Sequence, residues 1–438
     1  MREMKESGVE WIGEIPASWD LVQLGVLFSE HKKKNIGMQS ENLLSLSYGN
    51  IIRKNINTSD GLLPESFEGY NVIDGGDIVL RLTDLQNDQR SLRVGLSHEK
   101  GIVTSAYVTL RKRNANFNSQ YYYYLIHSYD VSKGFYGMGA GVRQGLNYAG
   151  IKKLLLPIPS IEEQEKIATF ISERASKVDT LITNVQSQIE KLKAYKQSII
   201  TEVVTKGLDS SVPMKDSGVE WIGDIPKNWD LVKVVRIADK THPYAIGDGD
   251  HGLIKPDDYQ DAGIPYIRVQ NLGWATELDT SNIVYISEET NDRIKGSTLR
   301  PNDVLFAKTG ATIGKTAILP ETMPIANTTS HVGKITVNSK YEPRFIFYVL
   351  SSAIGYRQFW EYASSKTTRP ELAIDEIKQV YITLPRSKEE QSEIVVYLDN
   401  KCSLVDRLVE VKQRKVEQLI QYKKSLIYEY VTGKKEVS

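Results

Sequence analysis

The chain opens twice. Residues 4–22 read MKESGVEWIGEIPASWDLV and residues 214–232 read MKDSGVEWIGDIPKNWDLV, with fifteen of nineteen positions identical. A second pair follows, EEQEKIATFISERASKVDTLI at 162–182 and EEQSEIVVYLDNKCSLVDRLV at 389–409. Between the matched pieces the two halves diverge. The offset between copies grows from 210 at the opening to 227 at the second repeat, so the second insert is 17 residues longer. A duplicated frame around unlike inserts demands two modules held in equivalent places, each presenting something different.

The second repeat reads as helix. Ser160 with Glu163, and Ser387 with Glu390, fit a capping box, in which Ser and Glu satisfy free amide donors reciprocally. Gly207 and Gly433 stand where the two patterns end, as helix-terminating glycines do. Inside, Val178, Leu181, Val185, Leu192, Tyr195 and Ile199 recur at three-to-four spacing, matched by Val405, Leu408, Leu419, Tyr422 and Leu426. Helices of about 40–45 residues, roughly 60–70 Å long, cannot bury such a stripe alone. The economical solution is that they pack on each other as a coiled coil, with Gln188, Lys412 and Lys415 interrupting the stripe.

The inserts, 23–155 and 233–384, read as mixed α/β. Short apolar runs end in turn signals: GGDIVLRL (75–82), IPYIRVQNL (264–272) and NDVLFAKTG (302–310). Each insert closes with a helix-like stretch, at 121–135 and 342–362, and then a short apolar strand, at 152–159 and 378–385. The fold class is α+β with an internal repeat. The predicted division is 1–159 and 208–385 as globular domains, and 160–207 and 386–438 as helical regions.

Lys+Arg and Asp+Glu are both 55, so no net basic charge drives nucleic-acid binding by this chain alone. One cysteine, Cys402, excludes an intramolecular disulfide framework and a cysteine-based zinc site, and reads as a small apolar side chain in a helix. No run approaches the ~18 apolar residues of a membrane span, and the opening residues lack an apolar signal core, so the expected location is cytoplasmic.

Few patterns point to catalysis. GATIGKT (310–316) resembles a phosphate loop, but Gly310 and Gly314 enclose three residues where that loop needs four. It reads as strand–turn–strand, with Lys308, Lys315 and the loop amides free to meet a DNA phosphate. The six histidines show no metal-binding spacing, and neither a nucleophile elbow nor an amino-methyltransferase motif occurs. The chain reads as non-catalytic, without a metal or cofactor of its own. Against that reading stand a nucleotide hydrolase built on 310–316 and a protein-only coiled-coil adaptor.

The inserts do gather arginine and amide side chains, the mixture that reads guanine and adenine edges in the major groove. RLTDLQNDQRSLR (81–93) carries Arg81, Asn87, Gln89, Arg90 and Arg93; IRVQN (267–271) carries Arg268, Gln270 and Asn271. GVRQG supplies Arg143 and Gln144, and KTTRP supplies Arg369, at corresponding places before the last strand of each insert. Solvated polar loops are the competing explanation. Trp11, Trp19, Trp221 and Trp229 belong to the repeated frame and read as packing anchors, and Tyr121–Tyr124 as a half-buried helix.

The ordered set of motifs resembles the specificity subunit of Type I restriction–modification systems over nearly the whole chain. SGVEWIGEIPASW and SGVEWIGDIPKNW mark the module starts, LPIPSIEEQEKI and TLPRSKEEQSEI the strand-to-helix junctions, and YKQSIITEVVTKG and YKKSLIYEYVTGK the helix ends. The resemblance implies two target-recognition domains alternating with two helical regions that pack as an antiparallel coiled coil. Each domain is then expected to bind one half of an asymmetric bipartite site in double-stranded DNA, with the helices setting the gap. Two methyltransferase subunits and restriction/translocase subunits are the implied partners. S-adenosylmethionine, ATP and Mg²⁺ are implied to belong to them.

Overall fold

The strands that open and close each insert pair with one another. In a computed structural model, which describes residues 2–57, 64, 66–85, 88, 91–138, 145–364 and 370–437, strand Asp20–Gln23 lies antiparallel to Leu155–Ile158. Asp230–Lys233 does the same with Tyr381–Leu384. The registers correspond: Asp20 faces Ile158, and Asp230 faces Leu384. Each insert is therefore a closed excursion from a fixed two-stranded base.

Two compact units result, Met1–Gln186 with Arg414–Ser438, and Ser187–Gln413. The long helices run Ile161–Lys206 and Lys388–Val431, so both unit boundaries fall inside them. Each unit takes a globular module, the first part of the helix that follows it and the last part of the other helix. The four-segment division of the sequence counts copies, whereas compactness follows these packed groups. Among the described residues no helix is long and apolar enough to cross a membrane.

The inserts share a topology that their sequences hide. The main sheet of the first unit runs Phe28–Glu30, Val108–Lys112, Ile78–Leu80, Val94–Leu96. The second runs Ile246–Asp248, Val332–Ile335, Val304–Ala307, Thr316–Ile318, in the same order: first strand, last, second, third. One buried aspartate opens the second strand in both. Asp77 Oδ2 accepts the amide of Asp74 at 2.8 Å, and Asp303 Oδ2 accepts that of Arg300 at 2.9 Å. The other sides of these carboxylates are met differently, by the Arg111 guanidinium at Asp77 and the Thr336 hydroxyl at Asp303. A smaller three-stranded sheet accompanies each: Gly101–Val103, Asn71–Ile73, Lys33–Lys34 in one unit, and Val284–Ile286, Ile264–Ile267, Asn327–Thr328 in the other.

The helix starts depart from the expected capping box in an informative way. The serine half forms: Ser160 Oγ accepts the Glu163 amide at 3.2 Å, and Ser387 Oγ accepts the Glu390 amide at 3.1 Å. The carboxylates are engaged elsewhere. Glu163 accepts the indole N–H of Trp19 at 2.7 Å, and Glu390 that of Trp229 at 2.8 Å. Both indoles are essentially inaccessible, so each must find a partner, and the capping glutamate supplies it. At the far ends, Gly207 (φ 75°) and Gly433 (φ 74°) leave the helices in the left-handed region.

The apolar stripe divides. Val178, Val185, Val405 and Leu426 are buried, while Leu181, Tyr195, Leu408 and Tyr422 are exposed. The geometry of a straight helix explains this: three and seventeen residues on from Val178, at about 100° per residue, the side chain has turned about 60° and 100° away. Gln188 and Lys412 do not interrupt a core; Gln188 is exposed and accepts a hydrogen bond from Lys412 Nζ at 2.6 Å.

Replacing Trp229 by Phe removes the hydrogen bond and keeps a smaller aromatic ring in the core. The expected loss is about 1.5–3 kcal/mol, the range for a hydrogen bond to a charged group, read as a lowered midpoint in urea unfolding. Glu390→Gln, which keeps an acceptor, should lose less.

Candidate nucleic-acid interface

Backbone hydrogen bonds bring the polar clusters of each insert to one turn. In the first unit the Arg81 amide donates to the Arg93 carbonyl at 2.9 Å, and the Leu146 amide to the Leu82 carbonyl at 2.8 Å. In the second, Ala307 donates to Lys315 at 2.8 Å and Leu372 to Lys308 at 2.8 Å. The hairpin 81–93 and the hairpin 307–315 are thus the same element, each beside the segment that precedes the last strand. The second unit adds a third piece: Thr316 donates to Gly273 at 2.8 Å, and Thr329 to Ile267 at 3.3 Å, which sets the 267–273 stretch against the same turn.

The 310–316 segment is a 3-10 turn, Gly310–Thr312, between antiparallel strands Val304–Ala307 and Thr316–Ile318. Gly310 (φ 61°) and Gly314 (φ 94°) permit the reversal. A phosphate loop needs a helix to follow and direct its N-terminus at the anion; here a strand follows.

Three of the thirteen candidate residues are spent inside the fold. Arg93 is fully buried. Its guanidinium donates to the carbonyls of Thr83 at 2.8 Å, Arg81 at 3.2 Å and Asp84 at 3.2 Å, and also to that of Asp88. Its Nε donates to Tyr136 Oη at 3.1 Å, and its charge lies over the Tyr136 ring. Asn271 is buried and bridges its own turn, accepting the Arg268 amide and donating to the Asp279 carbonyl, both at 2.9 Å. Lys308, also buried, is neutralised by Asp248 at 2.6 Å and Glu371 at 3.2 Å. The expectation that these three contact bases or phosphates gives way to a scaffolding role, because a guanidinium, amide or ammonium with its partners inside has little left to offer a ligand.

Four candidates stay accessible. Arg81 lies 3.8 Å from Asp88 with its side chain 37% exposed. Gln270 is exposed, and Lys315 is half-buried at the turn. Arg268 is half-buried, donates to the Asn282 carbonyl at 2.8 Å and stacks over Tyr259. Asn87, Gln89, Arg90, Arg143, Gln144 and Arg369 lie outside the described residues.

The structure adds residues that the sequence did not single out. His331 Nδ1 is 3.2 Å from the Thr309 hydroxyl, and exposed His251 (φ 52°) lies 3.4 Å from Asp248. Exposed Trp274 meets Tyr356 with ring centroids 5.8 Å apart, over Gly314, where a Cβ would fall 2.4 Å from the Tyr356 ring. GATIGKT carried the glycine, but its spacing drew attention to phosphate rather than to the ring above it.

Helix Ser119–Val131 backs the first turn and carries two strongly shifted groups. Burial pushes Asp130 up to about 6, against the pull of the Arg93 amide that its Oδ2 accepts at 2.6 Å. Burial, helped by Lys423 and Lys424, pushes His127 down to about 4. Cys402 is buried and its thiol is raised to about 11 by desolvation, which makes it a packed apolar group.

The comparisons with known proteins agree with this architecture. The model of the Type I restriction modification DNA specificity domain matches residues 17–191 and 246–419, and the chain belongs to that family. Among similar proteins are the type I restriction enzyme MjaVIII specificity subunit of Methanocaldococcus jannaschii, 23% identical over 96% of this chain and 93% of the relative. The EcoBI specificity subunit of Escherichia coli is 26% identical over 75% of this chain and 64% of its own length. A solved chain from work on complex assembly and conformational transition of the type I R-M system shares the fold, with TM-score 0.67, 16% identity and coverage of 95% and 98%.

Arg93→Met should cost about 3–5 kcal/mol, as breaking a buried charged network does, whereas Arg81→Ala should stay within about 0.5 kcal/mol of wild type; chemical unfolding of both variants checks this. A second expectation concerns pH. Asp130 gives stability that is full below its unfolded pKa and is lost as pH rises through about 6. His127 gives stability that is full above its unfolded pKa and is lost as pH falls toward about 4. The two slopes oppose each other. Asp130→Asn should therefore raise the urea midpoint at pH 7.5 and steepen its fall between pH 6.5 and 4.5.

Proposed function

We propose that this chain is the DNA sequence-specificity subunit of a Type I restriction–modification complex, with each globular module reading one half of an asymmetric bipartite site. The observation that carries this is the duplicated sheet order with unlike turns at the same structural place, 81–93 in one unit and 307–315 in the other. Equivalent scaffolds aim their variable turns equivalently. Unlike side chains on those turns then select unlike bases, through direct contacts to base edges. The accessible Arg81, Arg268, Gln270 and Lys315 are the described residues best placed for this. Asn87, Gln89, Arg90, Arg143, Gln144 and Arg369, which lie outside the described residues, complete the proposed set on sequence grounds.

The long helices are proposed to pack as an antiparallel coiled coil that fixes the gap between half-sites. Three contacts support the pairing: Lys423 Nζ to Asp179 at 2.6 Å, Lys412 to Gln188 at 2.6 Å and Lys196 to Asp406 at 2.7 Å. As one partner's number rises through these pairs the other's falls, which is the antiparallel sense. The first and third pairs are copies of one another across the repeat. The same logic points to two copies of one partner. Exposed Leu181 and Tyr422 in one unit are matched by exposed Leu408 and Tyr195 in the other. Methyltransferase subunits docking there would carry S-adenosylmethionine and flip the target adenine. Restriction/translocase subunits would bring ATP and Mg²⁺. This chain supplies position, and the chemistry is theirs.

Single-molecule mapping of N6-methyladenine in host DNA, with and without this gene, tests the reading. A gapped motif with unlike halves should lose its methylation on deletion. Identical maps in cells with an active partner methyltransferase would overturn it. Inserting about one heptad, ~10 Å of helix, into both long helices should lengthen the gap and leave both halves unchanged.

A further inference from the structure

Helix Ser119–Val131 of the first unit and helix Pro343–Ser351 of the second hold the same place in their modules. The residue before each, Asn118 and Glu342, donates its amide to Gln164 and Gln391 respectively, at 2.9 Å in both cases. Gln164 and Gln391 are themselves duplicates of one position. This contact aligns Gln120 with Arg344 and Tyr124 with Tyr348, while the duplicated long helix aligns Ser172 with Asp399.

The aligned side chains differ in charge. In the second unit Arg344 Nε donates to Asp399 Oδ1 at 2.6 Å and its Nη2 donates to Glu277. Tyr348 donates its hydroxyl to the same Asp399 oxygen at 2.5 Å. Burial works against the charge on Arg344, and the two carboxylates more than offset it, so its pKa moves up. The arginine stands in the first turn of its helix, an end whose free amides disfavour a cation. The carboxylates, and not the helix, account for its presence. In the first unit Gln120 is 3.5 Å from the Tyr124 hydroxyl and neutral Ser172 replaces the aspartate. There the same place is a cleft of about 720 Å³ lined by Gln120, Tyr124, Ser172 and Asn184. Its counterpart beside Arg344 measures about 470 Å³.

Glu277 leads from this contact to the candidate interface. Two residues on, Asp279 exchanges hydrogen bonds with Asn271: the Asp279 amide donates to the Asn271 carbonyl, and Asn271 Nδ2 donates to the Asp279 carbonyl, both at 2.9 Å. Asn271 closes the turn that presents Arg268 and Gln270. A path therefore runs from the long helix through the polar contacts of Asp399, Arg344 and Glu277, along the backbone from Glu277 to Asp279, and by the Asp279–Asn271 hydrogen bonds to the turn. We propose that Arg344 is a positioning residue for the second recognition domain, holding the turn that bears Arg268 and Gln270 in a fixed place against the long helix, while the first domain, uncharged at Gln120 and Ser172, is seated without this tie. The inference rests on the specificity-subunit reading and makes the two halves of the site unequal in how strictly they are read.

The test uses the full chain assembled with its methyltransferase. Methylation is measured on duplexes carrying the mapped site with single base-pair changes in either half. Exchanging residues 233–384 for those of another specificity subunit first identifies the half that the second domain reads. Arg344→Gln should reduce discrimination in that half by about tenfold, the effect of losing one charge-assisted contact, and leave the other half unchanged. Arg344→Lys, which keeps the charge, should restore part of it. Amide hydrogen exchange over 269–279 should rise in Arg344→Gln. Equal loosening of both halves, or of neither, would overturn the positioning role. A wild-type complex with no bipartite preference would instead sink the specificity reading. In that case exchange over 269–279 decides alone: a rise upholds the tie and no change removes it.

Discussion

Everything in each unit is hung from a buried indole that needs a partner. Trp19 and Trp229 sit in the cores of their modules, and each reaches the capping glutamate of the following helix, Glu163 or Glu390. A buried N–H without an acceptor is costly, and a carboxylate is the strongest acceptor available. The bond therefore fixes where the helix begins relative to the module. Around it, the opening strand pairs with the strand that leads into that helix. Frame and helix start are one joint, which is why both sequence repeats must be kept together while what lies between them changes.

That joint explains how the inserts can diverge and still share a topology. The strand pair returns the chain to its starting point whatever happens in between. Inside the excursion one local requirement recurs, a buried carboxylate that closes the turn before the second strand, met by Asp77 and Asp303. Its remaining oxygen is satisfied by Arg111 in one module and Thr336 in the other. Interior polar groups must be satisfied, but the partner's identity is free. Variation then concentrates in turns and loops, where packing imposes least.

The sequence discloses the parts of this design that repeat. Frame, helices, terminating glycines and the strand–turn–strand character of 310–316 all follow from spacing and from residues with restricted backbone chemistry. It conceals whatever depends on burial of polar groups. Arg93 lies in the same tract as Arg81, and nothing in the order of residues distinguishes the arginine that threads four carbonyls from the one that faces water. Lys308 resembles a phosphate ligand until Asp248, sixty residues earlier, is found beside it. The capping box shows the same limit: Ser160 and Glu163 mark the helix start correctly, yet Glu163 serves a tryptophan 144 residues away. Leu181 and Tyr195 fit a three-to-four spacing, yet three residues already turn a side chain about 60° off the buried face, and on a straight helix the pattern drifts further over many turns.

The burial of candidate residues also bears on the neutral charge of the chain. A DNA-binding surface made only of free cations would repel itself and bind duplexes regardless of sequence. Here the cations near the turns are divided by function. Lys308 is neutralised in place by carboxylates, Arg93 has its guanidinium hydrogens taken up by carbonyls, and both build the turn. Arg81, Arg268, Lys315 and the amide of Gln270 remain at its edge. On the proposed reading, a small accessible set on a support whose cations are paired inside adds little non-specific affinity, and what it adds depends on fit to base edges. A chain working as proposed, supplying discrimination to a larger complex, would be better served by that balance than by a basic surface, because excess non-specific attraction would hold the complex at the wrong sites.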